Sequence, residues 1–446
     1  MKNFIGKNKK FSILLLILAL TSILYKGYKI IDARANYTNK EVVTLLLKNN
    51  EINTGIAEVV KKYNKNNDEI YINLILTNDD YTNLLYTKLA NNDQIDIFEY
   101  SGKTLLEKNF IQPLKNLDID LSSVKDNATF LYNDEIIGVK YGSAMPKIMY
   151  NNELLVKAGI DPEFNPKTLD EFIRMLETIK STCPDIVPLD LSLNYIHDIF
   201  SILGTASTSE NSTYPTFWNY KTGEYDYSGL ALVIEKFQEM YDKNLITLNF
   251  DTRTTEDMFN DFKNEKSAMM ITNYYQKYSV TDRLEGMDVR FSNIPFASEN
   301  NGRLYYYTYP RTLVIANNQK EDMFDIDTEG QEKHNAAVKE VYEWLLSEDV
   351  TNYLVENDNN FASFGNNYFH NDMYDGLNDN KGYEHSLKDP TEVLVGNSDI
   401  VKKNIFAMIK GEVDIKNGIV NLKTEMNNFI NNNERNKDVE LDKYKE

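Results

Sequence analysis

Cysteine is nearly absent: Cys183 is the single one in 446 residues. One thiol closes no intrachain disulfide and makes no zinc site by itself, so it reads as a small buried hydrophobe. Histidine is scarce too. His197, His334, His370 and His385 lie in no metal or nucleophile motif. The chain holds no His-Glu-x-x-His, no Gly-x-Ser-x-Gly and no Gly-x-x-x-x-Gly-Lys-Ser/Thr. The Asn/Asp-rich stretch at 357–380 offers no register with the full ligand set of a calcium loop, and it reads as solvated loop. The sequence therefore calls for no metal and no cofactor. A carboxylate pair for glycoside hydrolysis is a spatial arrangement, and no local context singles one out, so an extracellular carbohydrate hydrolase stays an alternative without named residues.

Positive charge is short as well. Net charge is −20, yet the first 35 residues hold seven basic groups and one acid, a local +6 that leaves −26 on the rest. That balance argues against nucleic acid or anionic lipid as partner of the folded part, since both need a basic footprint. Long apolar runs are limited to Phe11–Tyr25, which follows the basic start MKNFIGKNKK and reads as an export signal. Its length lies between a cleaved signal peptide and a spanning anchor of ~20 residues, and both readings stand. Either one puts the remainder outside the cytoplasm.

What is there is an alternation of strands and helices. EVVTLLL at 41–47, INLIL at 72–76, IDIFEY at 95–100, the turn and strand NDEIIGVKYGS at 133–143 and PKIMYN at 146–151 read as strands. Helical spacing runs through Ile56, Val59, Val60 and Tyr63, and through Leu84, Leu85 and Leu89 after a polar capping stretch. Thr168 and Glu171 form a Thr-x-x-Glu capping box, followed by Phe172, Leu176 and Ile179. Further helices are predicted at 227–243, along Val338, Val341, Tyr342 and Leu345, and along Ile419, Leu422, Met426 and Phe429. The acidic stretch 321–332 reads as a solvated loop, and the charged tail at 433–446 is expected to fray. Hydrophobic content of 42% supports packed domains, and the length suggests two, of α/β class.

Tyrosine is abundant, thirty residues against two tryptophans. Tyr100, Tyr141, Tyr274 and Tyr275 fall where strands run out, and Tyr305–Tyr307 precede the TLVIA strand. Ligands of open α/β sheets bind at the carboxyl ends of strands, where a tyrosine ring can stack and its hydroxyl can hydrogen-bond.

Four segments in order carry a family resemblance. They are GVKYGS followed by IMYNNELLVKAGI and PKTLDEF; FKNEKSAMMITNYY; TLVIANN followed by AAVKEVYEWLLSED; and the closing GEVDIKNGIVNL. In this order they resemble the extracellular solute-binding proteins of ABC importers, in the sugar-type family that includes maltose-binding protein. The resemblance implies a two-lobed, periplasmic-binding-protein-like fold of type II, with a ligand cleft between lobes joined by hinge strands. Lobe 1 would comprise 41–143 plus 303–366, and lobe 2 would comprise 147–298 plus 367–432, after a signal or anchor at 1–35. Gly142, Ser143 and Ala144 would be the hinge. The implied ligand contacts are Tyr275, where the family often has a stacking tryptophan, with Tyr274, Tyr100, Ser101, Tyr141, Asn194, Tyr195, Lys48, Asn49, Tyr307, Phe361 and Phe364. The implied partners are a small-molecule ligand (a carbohydrate, in the form of an oligosaccharide), the transmembrane permease subunits, and the membrane through the N-terminal segment. The chain departs from the family in three ways. Glu265 replaces a usual glycine, Ala144 stands where an acidic contact is common, and no lipobox cysteine follows the apolar run. The last departure keeps open a membrane-anchored sensor subunit that signals to a histidine kinase.

Overall fold

The run EVVTLLLK forms β1 (Glu41–Lys48), and five consecutive residues of it are buried, as expected of a parallel strand covered on both faces. The computed structural model describes residues 40–48, 54–77, 80–91, 93–124, 128–144, 146–192, 200, 216–273, 284–292, 294–295, 309–317, 328–357 and 390–445. From β1 the chain alternates through α1 (Thr54–Asn66), β2 (Ile70–Thr77), α2 (Tyr81–Ala90), β3 (Ile97–Glu99), a short α3 (Thr104–Glu107), β4 (Ile111–Gln112), β5 (Thr129–Tyr132) and β6 (Glu135–Ala144). One residue later β7 (Pro146–Asn151) opens a second unit. That unit continues as α4 (Asn152–Lys157), α5 (Leu169–Thr182), β8 (Val187–Asp190), the hairpin β9 (Trp218–Asn219) and β10 (Glu224–Tyr225), α6 (Leu230–Asp242), α7 (Thr255–Lys263), β11 (Ser267–Asn273) and β12 (Val289–Ser292). The chain then returns as β13 (Tyr309–Ala316), α8 (Thr328–Leu345) and α9 (Glu348–Asn357), and it finishes with α10 (Ser398–Ile409) and α11 (Ile415–Asn432).

Two sheets result. The first has the order β2-β1-β3-β13-β6-β5, with β4 beside β13, and the second is β12-β7-β11-β8. In the first sheet β1 is parallel to β2 and β3, while β13 runs antiparallel to both β3 and β6. All strands of the first sheet except β4, β5 and β13 therefore end at one edge. At that edge Tyr309 pairs with Ala144, so the two chain segments passing between the sheets lie side by side. In the second sheet Asn273 pairs with Pro146, Ser292 with Ile148, and β8 runs parallel to β11. Its strands β8, β11 and β12 end at the same crossing.

Cores form on both units. One cluster gathers Val43, Leu45, Ile72, Val139 and Tyr141 under α1 and α8, with Val338, Val341, Tyr342 and Leu345 all buried. The other includes Leu155, Leu176, Phe237 and Met269 of the second sheet and its helices. Each such side chain contributes about 1.5–3 kcal/mol by leaving water. Cys183 is buried and follows the last turn of α5. Thr168 caps α5 by accepting from the Glu171 amide at 3.2 Å. The Glu171 carboxylate reaches the amide of Lys167 at 2.7 Å, one residue outside the expected box. Among the described residues no helix is long and apolar enough to cross a membrane.

Four expectations change. Asp80 precedes α2 with φ 53° and makes no capping hydrogen bond, because its carboxylate accepts from the Asn83 side chain at 2.7 Å instead. The acidic stretch 321–332 is not loop throughout: Thr328 starts α8, with Glu329 in the first turn, where the helix dipole favours negative charge. In α11 the buried stripe is Gly418, Leu422, Met426 and Ile430, rotated from the predicted one. A Cβ on Gly418 would overlap Met408 of α10, so the missing side chain sets how closely these helices pack. The tail after Asn432 does not fray. It forms 3-10 turns at Glu434–Asn436 and Leu441–Tyr444, with Val439 and Tyr444 buried. The expectations for residues 1–35 and 357–380 lie outside the described residues, apart from the single helical position Asn357.

Gly138 lies within β6 against β13, and a Cβ there would meet the Leu313 carbonyl at 2.5 Å and Val314 Cγ1 at 2.8 Å. Gly138→Ala should therefore destabilise the protein by about 1–3 kcal/mol, read as a lowered melting temperature. An unchanged melt would show that the two strands can part at no cost.

His334 of α8 bridges the opposite edge of the first sheet. Its Nδ1 lies 2.8 Å from Glu41 and its Nε2 lies 2.9 Å from Asp96, whose other oxygen accepts from the Thr44 amide at 2.8 Å. The hydrogen bond to Asp96, more than the charge of Glu41, raises the imidazole to about 9. The folded value exceeds the unfolded one, so the bridge is at full strength below about 6.5 and is lost as pH rises through about 9, a contribution of about 3 kcal/mol. Denaturant melts of the native chain and His334→Leu should thus differ most near pH 6 and differ less by pH 10. A gap independent of pH would exclude the charged bridge.

Candidate functional site

In the first sheet the chain moves from β1 outward to β2 and then back across to β3 on the other side of β1. Strand order reverses between β1 and β3, which opens a crevice at their carboxyl ends. Lys48 ends β1 there, and Glu99, Tyr100 and Ser101 follow from β3. These positions share the edge where β6 leaves for β7.

Glu99 organises this crevice. It is 1% exposed, and a buried carboxylate is costly unless paired and hydrogen-bonded. Arg311 of β13 donates from Nη1 to its Oε1 at 2.7 Å, and the Tyr141 hydroxyl donates to its Oε2 at 3.3 Å. A β-bulge lies at this point. Thr312 pairs with Lys140 and Arg311 with Gly142, which leaves Tyr141 as the extra residue of β6. Bulges re-aim side chains next to functional edges. Tyr81, at the start of α2, is buried and donates its hydroxyl to the Glu99 carbonyl at 2.6 Å. Its burial, together with the nearby Glu99 charge, pushes the phenol well above its usual range.

Lys48 lies with its ammonium 5.3 Å from the centre of the Tyr81 ring. Burial first, and then the charge of Arg311, lower its pKa, while Glu99 opposes the shift. Ser101 shares a 2.6 Å hydrogen bond with Thr82, and its carbonyl accepts from Tyr86 at 3.4 Å. Tyr100 is half-buried, with its ring edge-on to Phe130 at 4.7 Å and its amide on the Thr312 carbonyl at 2.8 Å. The structure thus brings Lys48, Tyr100, Ser101 and Tyr141 of the sequence reading onto one edge. Tyr141 is 3% exposed and its hydroxyl is engaged by Glu99, so in this arrangement it braces the edge from below.

Across the crossing, Lys147 is the second residue of β7 and only 1% exposed; burial lowers its ammonium to about 7. At the end of β8 Asp190 is equally buried. Arg253 approaches it with Nε at 2.9 Å and Nη2 at 2.9 Å, and Thr247 also donates to it. Desolvation raises the carboxyl and these donors oppose it. The backbones of Gly142, Ser143 and Ala144 form the last pairs of β6 with β13, directly before the crossing. Asn49, Asn194, Tyr195, Tyr274, Tyr275, Tyr307, Phe361 and Phe364 lie outside the described residues. Among the described residues no His/Cys/Asp/Glu group could hold a metal ion.

Sequence reasoning missed Tyr81, Glu99, Arg311 and Lys147. The available signal was a charge inside an otherwise apolar strand, as in IFE, YPRTLVIA and PKIMYN, because such a charge must find a partner or shift its pKa.

A described architecture of two sheets with facing strand ends invites comparison with known proteins. Residues 49–352 match the family model of bacterial extracellular solute-binding proteins. The melibiose/raffinose/stachyose-binding protein MelE of Bacillus subtilis is 26% identical over 125 residues, which is 26% of this chain and only 28% of that relative's length. Among solved structures, the cyclic alpha-maltosyl-1,6-maltose binding protein of Arthrobacter globiformis superposes with a TM-score of 0.63 at 13% identity, over 88% of this chain and 100% of that one. A sugar transporter from Bacillus licheniformis, solved in complex with stachyose, gives 0.54 at 19% identity, over 86% and 100%. With the family match spanning well over half of its length and the two-lobed type II fold in place, this chain belongs to the bacterial extracellular solute-binding proteins.

Proposed function

We propose that this protein binds a carbohydrate, in the form of an oligosaccharide, outside the cytoplasm by closing its two lobes over it, and delivers it to the transmembrane permease of an ABC importer. The observation that carries the reading is the crevice at the β1/β3 switch point. There Lys48, Tyr100 and Ser101 sit above a braced Glu99–Arg311 pair, at the edge where the chain crosses to the second sheet. Sugars offer hydroxyls to such polar groups and apolar ring faces to tyrosine. Family membership supports an extracytoplasmic binding protein, and the sugars named for MelE and the stachyose complex support the ligand class.

In this reading Tyr100 and Ser101 contact the ligand from lobe 1. Tyr274 and Tyr275, which follow β11, stack on it from lobe 2, and Asn194 and Tyr195, which follow β8, add hydrogen bonds. Lys48, Asn49, Tyr307, Phe361 and Phe364 complete the contacts. Gly142, Ser143 and Ala144 absorb the backbone change on closure, as short hinge segments do. Binding energy selects the closed form, and the closed form is what the permease takes. The N-terminal segment holds the protein at the membrane or is removed after export.

A thermal-shift screen over melibiose, raffinose, stachyose, maltodextrins, peptides and polyamines tests the ligand class. A ligand at a hundredfold its Kd should add about 2.7 kcal/mol of stability. Stabilisation by an oligosaccharide that is recovered uncleaved is expected. Stabilisation by a peptide or a polyamine alone, or turnover of the sugar, would overturn the proposal. Tyr275→Ala and Tyr100→Ala should each reduce the ligand-induced shift measured from its own ligand-free melt, which Tyr100→Ala lowers by losing the ring contact with Phe130, and an undiminished shift would remove that tyrosine from the contact set.

A further inference from the structure

The tail after α11 touches both lobes. From the side of lobe 2, Asn436 Nδ2 donates to the Val395 carbonyl at 3.2 Å and its Oδ1 accepts from the Val395 amide at 2.8 Å. The Trp218 indole donates to the Tyr444 carbonyl at 3.1 Å. Val439 and Tyr444 are buried in the same apolar cluster as Trp218 and Tyr225. From the side of lobe 1, Arg435 grips Glu107 with two bonds of 2.8 Å and reaches Thr104 at 2.9 Å. Asp438 accepts from Lys103 at 2.6 Å and from the Tyr132 hydroxyl at 2.8 Å. Lys443 pairs with Asp134 at 3.2 Å, and the Asn133 amide reaches the Tyr444 hydroxyl at 3.4 Å.

Lys103 decides how firmly this holds. Its side chain is 3% exposed, and its ammonium is held by the Asp438 carboxylate and the Arg435 carbonyl, both on the tail. Pulling the tail away takes both of these partners from the Lys103 ammonium at once. Pulling it from lobe 2 exposes Tyr444 and leaves the buried Trp218 donor without that acceptor. Neither attachment is cheap to release. The segment also lies beyond residue 352, where the family match ends.

We propose that residues 433–445 form a strap between the lobes, independent of the hinge strands, that limits how far the cleft opens. The tail fastens along the outer strand β5 and helix α3 of lobe 1 and against the β9–β10 hairpin of lobe 2, away from the crossing of β6 to β7. A hinge at one place and a tether at another leave fewer relative motions than a hinge alone. The ligand-free protein then samples a narrower range of openings, and less freedom remains to be lost on closure.

The test uses the full chain without ligand, so its outcome is independent of the sugar-binding reading. Spin labels go on Lys115→Cys in lobe 1 and Val420→Cys in lobe 2, both exposed positions, while the native thiol at Cys183 is buried. Double electron–electron resonance should give a narrow interlobe distance in the native background. Arg435→Glu, which sets like charges at Glu107, should shift the distribution to longer distances and broaden it. Adding Glu107→Arg should restore it. Asp438→Asn, which keeps the shape and removes the counter-charge of Lys103, should broaden the distribution in the same direction and serves where Arg435→Glu fails to fold. Unchanged distances in the single variants, or a change that the charge swap does not reverse, would reduce the tail to ordinary surface packing and overturn the proposal.

Discussion

Removing the Glu99 carboxylate from water costs several kcal/mol, and the edge facing the second lobe is arranged around meeting that cost. The counter-charge has to come from a neighbouring strand, because β3 is only three residues long and its own polar groups are committed to the ladder. Arg311 supplies it from β13, the strand that arrives from the second unit. Tyr141 supplies the second bond from β6, the strand that departs toward it. One buried carboxylate thus ties together the inbound and outbound segments at the place where the chain crosses. Simple alternation already puts Tyr141 on the face of Val139, and the bulge shifts where along β13 the phenol falls.

The α/β class was readable because parallel interior strands are apolar on both faces, as in EVVTLLLK, and because helices α5 and α8 repeat their apolar residues at helical spacing. The chemistry of the crevice was less readable. Lys48, Tyr100 and Ser101 lie at strand ends, where sequence position alone is informative. Glu99 and Arg311 are more than two hundred residues apart, and only the strand order brings them to 2.7 Å. The tail misled for a similar reason. Its charges look like a solvated terminus, yet Arg435, Asp438 and Lys443 each meet a partner of opposite charge on the first lobe. Composition records how much charge a segment carries, and it does not record whether the opposite charge waits elsewhere in the fold.

Rigid and yielding parts alternate along the crossing. Tyr141 is braced by Glu99 on one side of it. On the other side Lys147 is enclosed at the start of β7, and Ile148, Met149 and Tyr150 follow as wholly buried residues. Between them stand Gly142, Ser143, Ala144, Met145 and Pro146, three of them small. In the proposed closure, dihedral change concentrates in this stretch because both flanks are locked by packing, and packed cores do not deform continuously. The small residues matter less for being flexible in themselves than for lying between two segments that cannot give.

A strap changes what such a hinge can do. With the lobes joined only by the crossing segments of the chain, rotation about the crossing is opposed mainly by the stiffness of those segments. A second attachment at α3 and β5 makes wide opening compete with an arginine–carboxylate fork and with the buried ammonium of Lys103. Each contact has one half-exposed partner and would weaken with salt, the Lys103 contact less so because its own side chain is buried. Of the two, the Lys103 contact would lose less as ionic strength rises. In the proposed function, affinity would depend on two quantities that sit in different places: the contacts made at the β1/β3 crevice, and the width of the ligand-free ensemble set at the far flank by the tail.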